Sequence, residues 1–264
     1  MVAGIAAIRL ISADAEALAR FYQRALGFVV EGEEAAADPF CGRLRRLIVL
    51  RLGDGRLEIA EPALPAAPSP VPGIGTGFQH FAIVAPVMAE AFARLDRQPG
   101  WTAISQGGPQ VLPASSRGVT AFKFRDPEGH PLELLSFPPG GTPARWQGRE
   151  GVTVGIDHTA IVVGDTAASL AFYGRLGFRQ TGRTLNRGPA QAALDGLPDP
   201  VVEVTALAIP AAPSPHLELL CYRTGLPRAA PADTAPLATR TVCHGGTTGL
   251  RDPDGHRWIV TAPG

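Results

Sequence analysis

The sequence predicts an α+β fold built from repeated strand–helix units, and three observations support this prediction. The hexapeptide RDPEGH at 125–130 returns as RDPDGH at 251–256, each time before an apolar stretch. The segments 4–28 and 155–178 both combine a β-rich apolar run with an amphipathic helical pattern that ends in LGF. The β-rich tracts that follow contain the related sequences LEI, LEL and LEL. Repetition of this kind indicates a chain assembled from similar modules.

The repeated hexapeptide predicts a hairpin between two strands. Gly129 and Gly255 permit the positive φ of a tight turn, and the Asp-Pro pair that opens each copy favours turn geometry. We interpret the polar residues of both copies as turn residues, not as acids or ligands: Asp126, His130, Asp252 and His256.

The first and third modules each begin with a strand that is followed by a helix. Asp14 and Asp165 suit the N-termini of these helices, and Gly27 and Gly177 suit their C-termini. A weaker version of the same pattern opens the second module at 77–100. The last segment keeps the hairpin but has no room for a full helix before it, which predicts a shortened fourth module.

We expect two tandem halves, 1–145 and 150–264, with two modules in each. Pro/Gly-rich stretches at 61–77 and 138–151 are typical of linkers between modules. The predicted modules cover 4–62, 77–138, 153–223 and 236–262.

The composition limits the classes of function. The chain has 264 residues, a formal net charge of zero and no basic run, which argues against nucleic acid as a partner. No apolar run approaches the ~20 residues that span a membrane, and the N-terminus lacks the basic region of a signal peptide, so we expect a cytoplasmic protein without a membrane partner. Three cysteines without a CxxC pair favour ordinary thiols over a disulfide framework or a zinc site: Cys41, Cys221 and Cys243.

The segments GIDHTAIVVGDTAASLAFYGRLGF, FRDPEGHPLELLSFP and RDPDGH resemble the vicinal oxygen chelate superfamily, also called the glyoxalase / bleomycin resistance / extradiol dioxygenase superfamily. The resemblance covers nearly the whole chain and is weak around 180–200 and 224–240. It implies tandem βαβββ modules, each of which curls its sheet around half a cleft, and two of which pair to close it. In that family the metal ligands are His or Gln on the first strand of a module and Glu on the last.

Carried over position by position, the resemblance implies complete ligand pairs in the second and third modules. The implied metal ligands are His80, Glu133, His158 and Glu218. The first module has Ala7 at the histidine position and keeps Glu58 on its last strand. In the fourth module Ile259 stands where the glutamate is expected, and His244 lies near the first-strand position.

The sequence leaves the pairing of the modules open. If the middle modules pair, all four ligands enter one cleft, which resembles the glyoxalase I pattern and suits a six-coordinate divalent metal with two open positions. The outer modules then form a metal-free cleft with Glu58 alone. If the first module pairs with the second and the third with the fourth, neither cleft receives a full set. The extradiol pattern in the C-terminal half fails because of Ile259.

Strand periodicity supports glutamates that face a cleft. Because successive side chains alternate, Glu133 shares a face with Phe137, and Glu218 shares one with His216 and Tyr222. A carboxylate in such a strand is costly to bury unless it binds a metal or a cation. The alternatives are a glutamate that faces solvent on a half-exposed sheet and a histidine with a purely structural role.

A bound divalent metal (Fe, Ni, Zn, Mn or Co) could chelate two neighbouring oxygens of a small oxygenated metabolite and stabilise an enediolate-type anion. The resemblance to glyoxalase I implies Glu133 or Glu218 as the catalytic base, whereas Fe(II) on a His/His/carboxylate subset could activate O₂. Isomerase, epimerase, lyase and ring-cleavage dioxygenase chemistry all stay open. The competing hypothesis is a metal-free protein of the bleomycin-resistance type that binds or sequesters a small molecule.

We expect the substrate pocket to include Phe137 and Tyr222, because each shares a strand face with one of the two glutamates. The insert at 183–200 predicts either a lid that contributes Asn186 and Arg187 or a plain surface loop. The expected partner is a small-molecule substrate. A monomer and a homodimer are both compatible with the sequence, because the chain contains its own internal pairing.

Overall fold

The computed structural model describes residues 1–64, 74–75, 77–223, 238–245 and 248–261. The first half of the chain contains β1 (Ile5–Ile11), α1 (Ala15–Leu26), β2 (Val29–Glu33), β3 (Ala37–Asp38), β4 (Gly42–Leu52), β5 (Gly55–Pro62), β6 (Gln79–Val84), α2 (Met88–Asp96), β7 (Thr102–Ala103), β8 (Gln110–Val111), β9 (Thr120–Arg125) and β10 (Pro131–Ser136). The second half contains β11 (Gly155–Val162), α3 (Thr166–Leu176), β12 (Arg179–Arg187), α4 (Pro189–Asp195), β13 (Val201–Ile209), β14 (Ala212–Tyr222), β15 (Thr239–His244), β16 (Thr248–Arg251) and β17 (Arg257–Thr261). Short 3₁₀ helices cover Ala114–Ser116 and Ala144–Trp146.

These strands form two mixed sheets, so the predicted α+β class is confirmed. The outer sheet has the order β16-β17-β15-β1-β5-β4-β2, with β3 beside β4. The middle sheet has the order β12-β13-β14-β11-β6-β10-β9-β7, with β8 beside β9. The first and fourth modules therefore share the outer sheet through β1 and β15, and the second and third share the middle sheet through β6 and β11. Each half of the sequence contributes one module to each sheet.

The fourth module is short, as the sequence predicts. Only residues 245–247 separate β15 from β16, which is too few for a helix. Most of the predicted linker at 61–77 lies outside the described residues, as does the segment 224–237 before the fourth module. No helix in the described ranges is long and apolar enough to cross a bilayer.

Within each module the first and last strands are parallel neighbours, and their registers are equivalent. The paired residues are Arg9 with Glu58, Ala82 with Glu133, Ala160 with Glu218, and Val242 with Ile259. Two residues before each first-strand partner, on the same face, lie Ala7, His80, His158 and Arg240. The register thus reproduces the alignment made from sequence. It also places Arg240, and not His244, at the histidine position of the fourth module.

The ends of the helices follow the sequence signals. Asp14 accepts a hydrogen bond from the backbone N–H of Ala17 at the start of α1, and Asp165 caps α3 in the same way. Gly27 and Gly177 end these helices with φ values of 73° and 105°, a conformation that strongly favours glycine.

The first repeated hexapeptide forms the predicted turn and also joins two modules. The buried Asp126 carboxylate accepts hydrogen bonds from the Tyr22 hydroxyl (2.9 Å) and from His130 Nδ1 (2.8 Å). His130 Nε2 lies 3.1 Å from the Ile11 carbonyl oxygen. Because Tyr22 is on α1 and Ile11 is on β1, the turn of the second module holds the helix and first strand of the first.

The second copy makes the equivalent contacts between the third and fourth modules. Asp252 accepts a hydrogen bond of 2.7 Å from the Tyr173 hydroxyl on α3. His256 Nε2 lies 2.8 Å from the Val162 carbonyl oxygen on β11. Each copy of the hexapeptide therefore makes the same two contacts, one with a helix and one with the first strand of another module.

The common core lies between the two sheets and the helices. Its largest cluster includes buried side chains from both sheets: Leu10, Ile59, Phe81, Leu134, Ile161, Leu219 and Trp258. Burial of each such side chain contributes ~1.5–3 kcal/mol. Since faces alternate along a strand, packing of Phe81 into this core directs its neighbour His80 to the opposite face of the middle sheet. The face that carries His80 is called the cleft face below.

The cysteines are free thiols, as expected from their spacing. Burial raises the pKa of Cys41 to about 11 and that of Cys243 to about 12. Both thiols therefore stay protonated at neutral pH.

Candidate metal centre

The structure brings all four implied ligands together on the cleft face. His80 lies on β6, Glu133 on β10, His158 on β11 and Glu218 on β14. These are four adjacent strands in the order β14-β11-β6-β10. The junction between β6 and β11 therefore unites the ligand pairs of the second and third modules.

The distances between these side chains are those of a compact cluster. His80 Nε2 lies 3.1 Å from Glu133 Oε2, and His158 Nε2 lies 3.6 Å from Glu218 Oε2. The centroids of the two imidazole rings are 5.8 Å apart. One ligand atom each from His80, Glu133 and His158 lies within 4.8 Å of the others.

The cluster is enclosed on one side and open on the other. His80, Glu133 and His158 are only 2%, 6% and 5% exposed. The Glu218 side chain is 23% exposed, and its neighbour His216 is 18% exposed. The cluster is therefore most accessible on the Glu218 side.

His80 has an environment that is unusual for a structural histidine. Within the described part of the chain, neither Nδ1 nor Nε2 of this buried ring has a hydrogen-bond partner, and the 3.1 Å approach of Nε2 to Glu133 lacks hydrogen-bond geometry. Buried polar atoms are nearly always paired. Two imidazoles and two carboxylates form a donor set that suits a divalent transition metal, and a metal at Nε2 would supply the partner that this nitrogen lacks.

Electrostatics distinguish the two histidines. Burial lowers the pKa of His80, and the nearby Lys123 adds to this effect, although Glu133 opposes it. Burial also disfavours the charged form of His158, but Glu218 and Asp157 outweigh it and raise the pKa of His158 to about 9. In the metal-free protein the positive charge therefore resides on His158.

Both glutamates stay ionised although burial opposes it. His80 and Lys123 lower the pKa of Glu133. His158 and His216 lower the pKa of Glu218 to about 2. Two carboxylates that remain charged at neutral pH can serve as ligands without first losing a proton.

Lys123 and Asp195 form a buried ion pair at the edge of the cluster that the sequence analysis missed. Lys123 lies directly opposite Glu133 in the strand register, and its Nζ is 2.7 Å from Asp195 Oδ1. Asp195 also accepts hydrogen bonds from Gln191 (2.7 Å) and from the Tyr222 hydroxyl (2.9 Å). An available signal was the single charged residue in the apolar strand TAFKF.

The insert at 183–200 is neither a free lid nor a plain surface loop. It continues β12 and then forms α4, whose Leu194 packs with Leu135 and Phe137. Since α4 also contributes Asp195, the insert forms a wall of the cleft.

Not all of the predicted pocket residues lie on the cleft face. Asn186 and Tyr222 both pair with Val202 from opposite sides, so both lie on the cleft face. The buried Asn186 Oδ1 has no hydrogen-bond partner in the described ranges. Phe137 is partly buried beside α4. Arg187 follows Asn186 on the strand and is exposed on its other face.

The outer cleft contains buried ion pairs, and two of their members, Glu58 and Arg240, stand at positions equivalent to the cluster. Arg9 Nε lies 2.7 Å from Glu58 Oε2, and Arg240 Nε lies 3.1 Å from Asp38 Oδ2. Arg9 also reaches Asp38 at 3.4 Å, and all four side chains are buried. Glu58 is thus paired with arginine. His244 is exposed, with Nδ1 3.1 Å from the Thr261 hydroxyl.

Comparison with solved structures shows the same fold in two other proteins. Glyoxalase I from Zea mays matches with 15% identity and a TM-score of 0.61, over 98% of this chain and 92% of that chain. A putative dioxygenase from Bacillus subtilis matches with 14% identity and a TM-score of 0.61, over 100% of this chain and 86% of that chain. At these identities the similarity establishes the fold alone.

No curated protein is significantly similar to the chain in sequence. The model of the Glyoxalase/Bleomycin resistance protein/Dioxygenase superfamily matches residues 4–134 and 155–227, which together are more than half of the chain. The chain therefore belongs to the Glyoxalase/Bleomycin resistance protein/Dioxygenase superfamily, as its repeated motifs predict.

Proposed function

We propose that this protein is a metal-dependent enzyme that acts on a small oxygenated metabolite. The observation that carries the proposal is the convergence of two buried histidines and two ionised glutamates from four adjacent strands, where His80 has no hydrogen-bond partner among the described residues. A structural histidine would have a partner, and a surface glutamate would be exposed.

The four side chains His80, Glu133, His158 and Glu218 would hold the metal. A bound divalent ion would act as a Lewis acid toward neighbouring oxygens of the substrate. The enclosed His80, Glu133 and His158 fix one side of the site, and the open Glu218 side admits the substrate.

Both glutamates are candidates for proton transfer, and Glu218 is better placed for it. Its side chain faces the opening, and its Oε1 lies 3.4 Å from Nε2 of the partly exposed His216. A proton taken from the substrate by Glu218 could therefore leave to solvent through this opening. Glu133 is enclosed and suits the role of a ligand.

The walls of the cleft favour a small, partly apolar substrate. An apolar cluster on the cleft face includes Phe78, Val162 and Leu220 together with the ring of Tyr222. Beyond it, Asn186 offers a buried carbonyl oxygen that could accept a hydrogen bond from a substrate hydroxyl. We propose a small molecule as the only partner that the activity needs, with either a monomer or a homodimer as the active form.

Metal analysis by ICP-MS of protein purified without a chelating tag tests the proposal. We expect about one equivalent of a divalent metal in the wild type and its loss in the His80→Ala/His158→Ala double variant, since ligand removal abolishes the site. The metal found would select the assay: iron for oxygen-dependent ring cleavage, and nickel, cobalt, manganese or zinc for isomerase, epimerase or lyase activity. Wild-type protein that stays metal-free after soaking in each of these ions would overturn the proposal.

A further inference from the structure

Asp157 and His158 are consecutive on β11, yet their side chains meet. In a regular strand, neighbouring side chains point to opposite faces. Here the pairing with β6 advances from Ile156 opposite Ile83 to His158 opposite Ala82, so Asp157 is the extra residue of a β-bulge. Bulges re-aim side chains and are common beside active sites. This one places Asp157 Oδ2 3.0 Å from His158 Nδ1.

The equivalent histidine on β6 has no such support, which provides an internal comparison. Gln79 precedes His80 as Asp157 precedes His158, but the pairing of β6 and β11 is regular there. Gln79 accordingly points away from the cleft and donates hydrogen bonds to the hydroxyls of Thr159 (3.0 Å) and Thr241 (2.9 Å). The Nδ1 of His80 is left without a partner.

Asp157 is itself held by the segment that links the two halves of the chain. Its Oδ1 accepts hydrogen bonds from Trp146 Nε1 (3.0 Å) and from Arg145. Trp146 reaches β11 because Gly155 has no side chain: a Cβ there would lie 2.5 Å from the indole ring. The bulge backbone is also bound, since His216 Nδ1 lies 3.1 Å from the Asp157 carbonyl oxygen.

We propose that Asp157 is a positioning residue of the metal centre. By accepting the hydrogen bond from Nδ1–H of His158, it fixes the ring so that the Nε2 lone pair faces His80, Glu133 and Glu218. A carboxylate behind a histidine ligand orients the ring and raises its basicity, and removal of such a partner typically costs about 10–100-fold in metal affinity. Arg145 and Trp146 hold Asp157 in place, so the linker between the halves contributes to the strength of the metal site. This inference rests on the proposed metal function.

The test is competition between the protein and a coloured chelator for Co(II), which gives the metal dissociation constant directly. The variants are Asp157→Ala, which removes the acceptor, and Asp157→Asn, which keeps an acceptor oxygen but removes the charge. We expect Asp157→Ala to weaken binding about 10–100-fold and to alter the visible Co(II) spectrum, with Asp157→Asn in between. The matched control is Gln79→Ala, which loses two buried hydrogen bonds at the equivalent position and should keep the wild-type dissociation constant.

The possible results separate the inference from the proposed function. If the wild type binds Co(II) and Asp157→Ala binds it equally tightly with the same spectrum, Asp157 has no positioning role. Equal weakening in Gln79→Ala and Asp157→Ala would also overturn the inference, because the effect would then follow from general destabilisation. If the wild type binds none of the divalent ions, the metal function fails first and the inference fails with it. Trp146→Phe, which removes the indole donor and reduces the size of the ring, should reproduce part of the Asp157→Ala loss.

Discussion

Lys123 is the only lysine in a chain with 24 lysines and arginines, and it lies buried on the cleft face. Burial disfavours its ammonium group, but Asp195 outweighs this effect and raises the pKa of Lys123. The compact ammonium fits between Asp195 and Glu133, where the larger planar guanidinium of arginine is a poor substitute. This one side chain therefore holds α4 against the cleft and adds positive charge near Glu133.

We expect Lys123→Met to destabilise the protein by about 3–5 kcal/mol, because it leaves Asp195 buried without its cation. The first elements to loosen should be α4 and the end of β12, measured as faster amide exchange over residues 189–195. Arg20→Met is the control, since its pair with Glu16 is exposed and contributes at most ~1 kcal/mol. Unchanged exchange over α4 would contradict the anchoring role.

The four proposed ligands are easier to find from the sequence than the residues that pack beside them. His80, Glu133, His158 and Glu218 were located because they recur at equivalent positions of repeated modules. Lys123 belongs to no such repeat, and nothing in the chain order indicates that it lies beside a residue 72 positions away. Long-range ion pairs of this kind are settled by tertiary packing.

At the scale of elements, the turns that follow β9 and β16 act as connectors between modules. Asp126 accepts a hydrogen bond from the Tyr22 hydroxyl on α1, and Asp252 accepts one from the Tyr173 hydroxyl on α3. The sequence predicted the turns correctly from their glycines, since Gly129 and Gly255 have φ values of 97° and 92°. It gave no indication that the same residues bind a helix of another module.

The His130 side chain makes this connection depend on pH. Burial disfavours its charged form, but Asp126 and Glu128 outweigh burial and raise its pKa. A group whose pKa is raised on folding contributes stability that is fully present below its ordinary value of ~6.5 and is lost as the pH rises through the raised value. We expect the free energy of unfolding to fall over that window in the wild type and to be flatter in His130→Gln. Denaturant titrations at a series of pH values measure it, and parallel curves would refute the assignment.

The strands also show where a prediction from the period-two alternation of side chains fails. Periodicity of two correctly placed Glu133 and Glu218 on one face, because β10 and β14 are regular in that region. The same rule places Asp157 on the face opposite His158, and it fails because a bulge adds one residue to β11. A bulge depends on the register with the partner strand, which the order of residues does not reveal.

At the scale of the whole molecule, the four modules are joined in a closed cycle. The sheets join the first module to the fourth and the second to the third. The hexapeptide turns join the first to the second and the third to the fourth. The sequence left the sheet pairing open because nothing in a strand's own residues specifies its distant neighbour. The observed pairing is the one that unites all four proposed ligands.

This arrangement predicts the behaviour of the separated halves. Fragments 1–149 and 150–264 each contain two of the four proposed ligands, so neither alone should retain metal. Co-expression of both fragments should restore the two sheets and about one equivalent of metal per pair, because folding and metal binding are coupled. Metal analysis and gel filtration of each fragment and of the pair provide the measurement. A single fragment that binds metal stoichiometrically would contradict the shared site.

The ion pairs of the outer cleft restrict how this protein can change over evolutionary time. Arg9, Glu58, Arg240 and Asp38 neutralise one another in a buried network, and two of them, Glu58 and Arg240, stand at positions equivalent to the proposed metal ligands. Replacement of one member by a ligand residue leaves a buried charge without its partner, at a cost of about 3–5 kcal/mol. A metal centre in the outer cleft therefore cannot be built one substitution at a time without passing through destabilised intermediates.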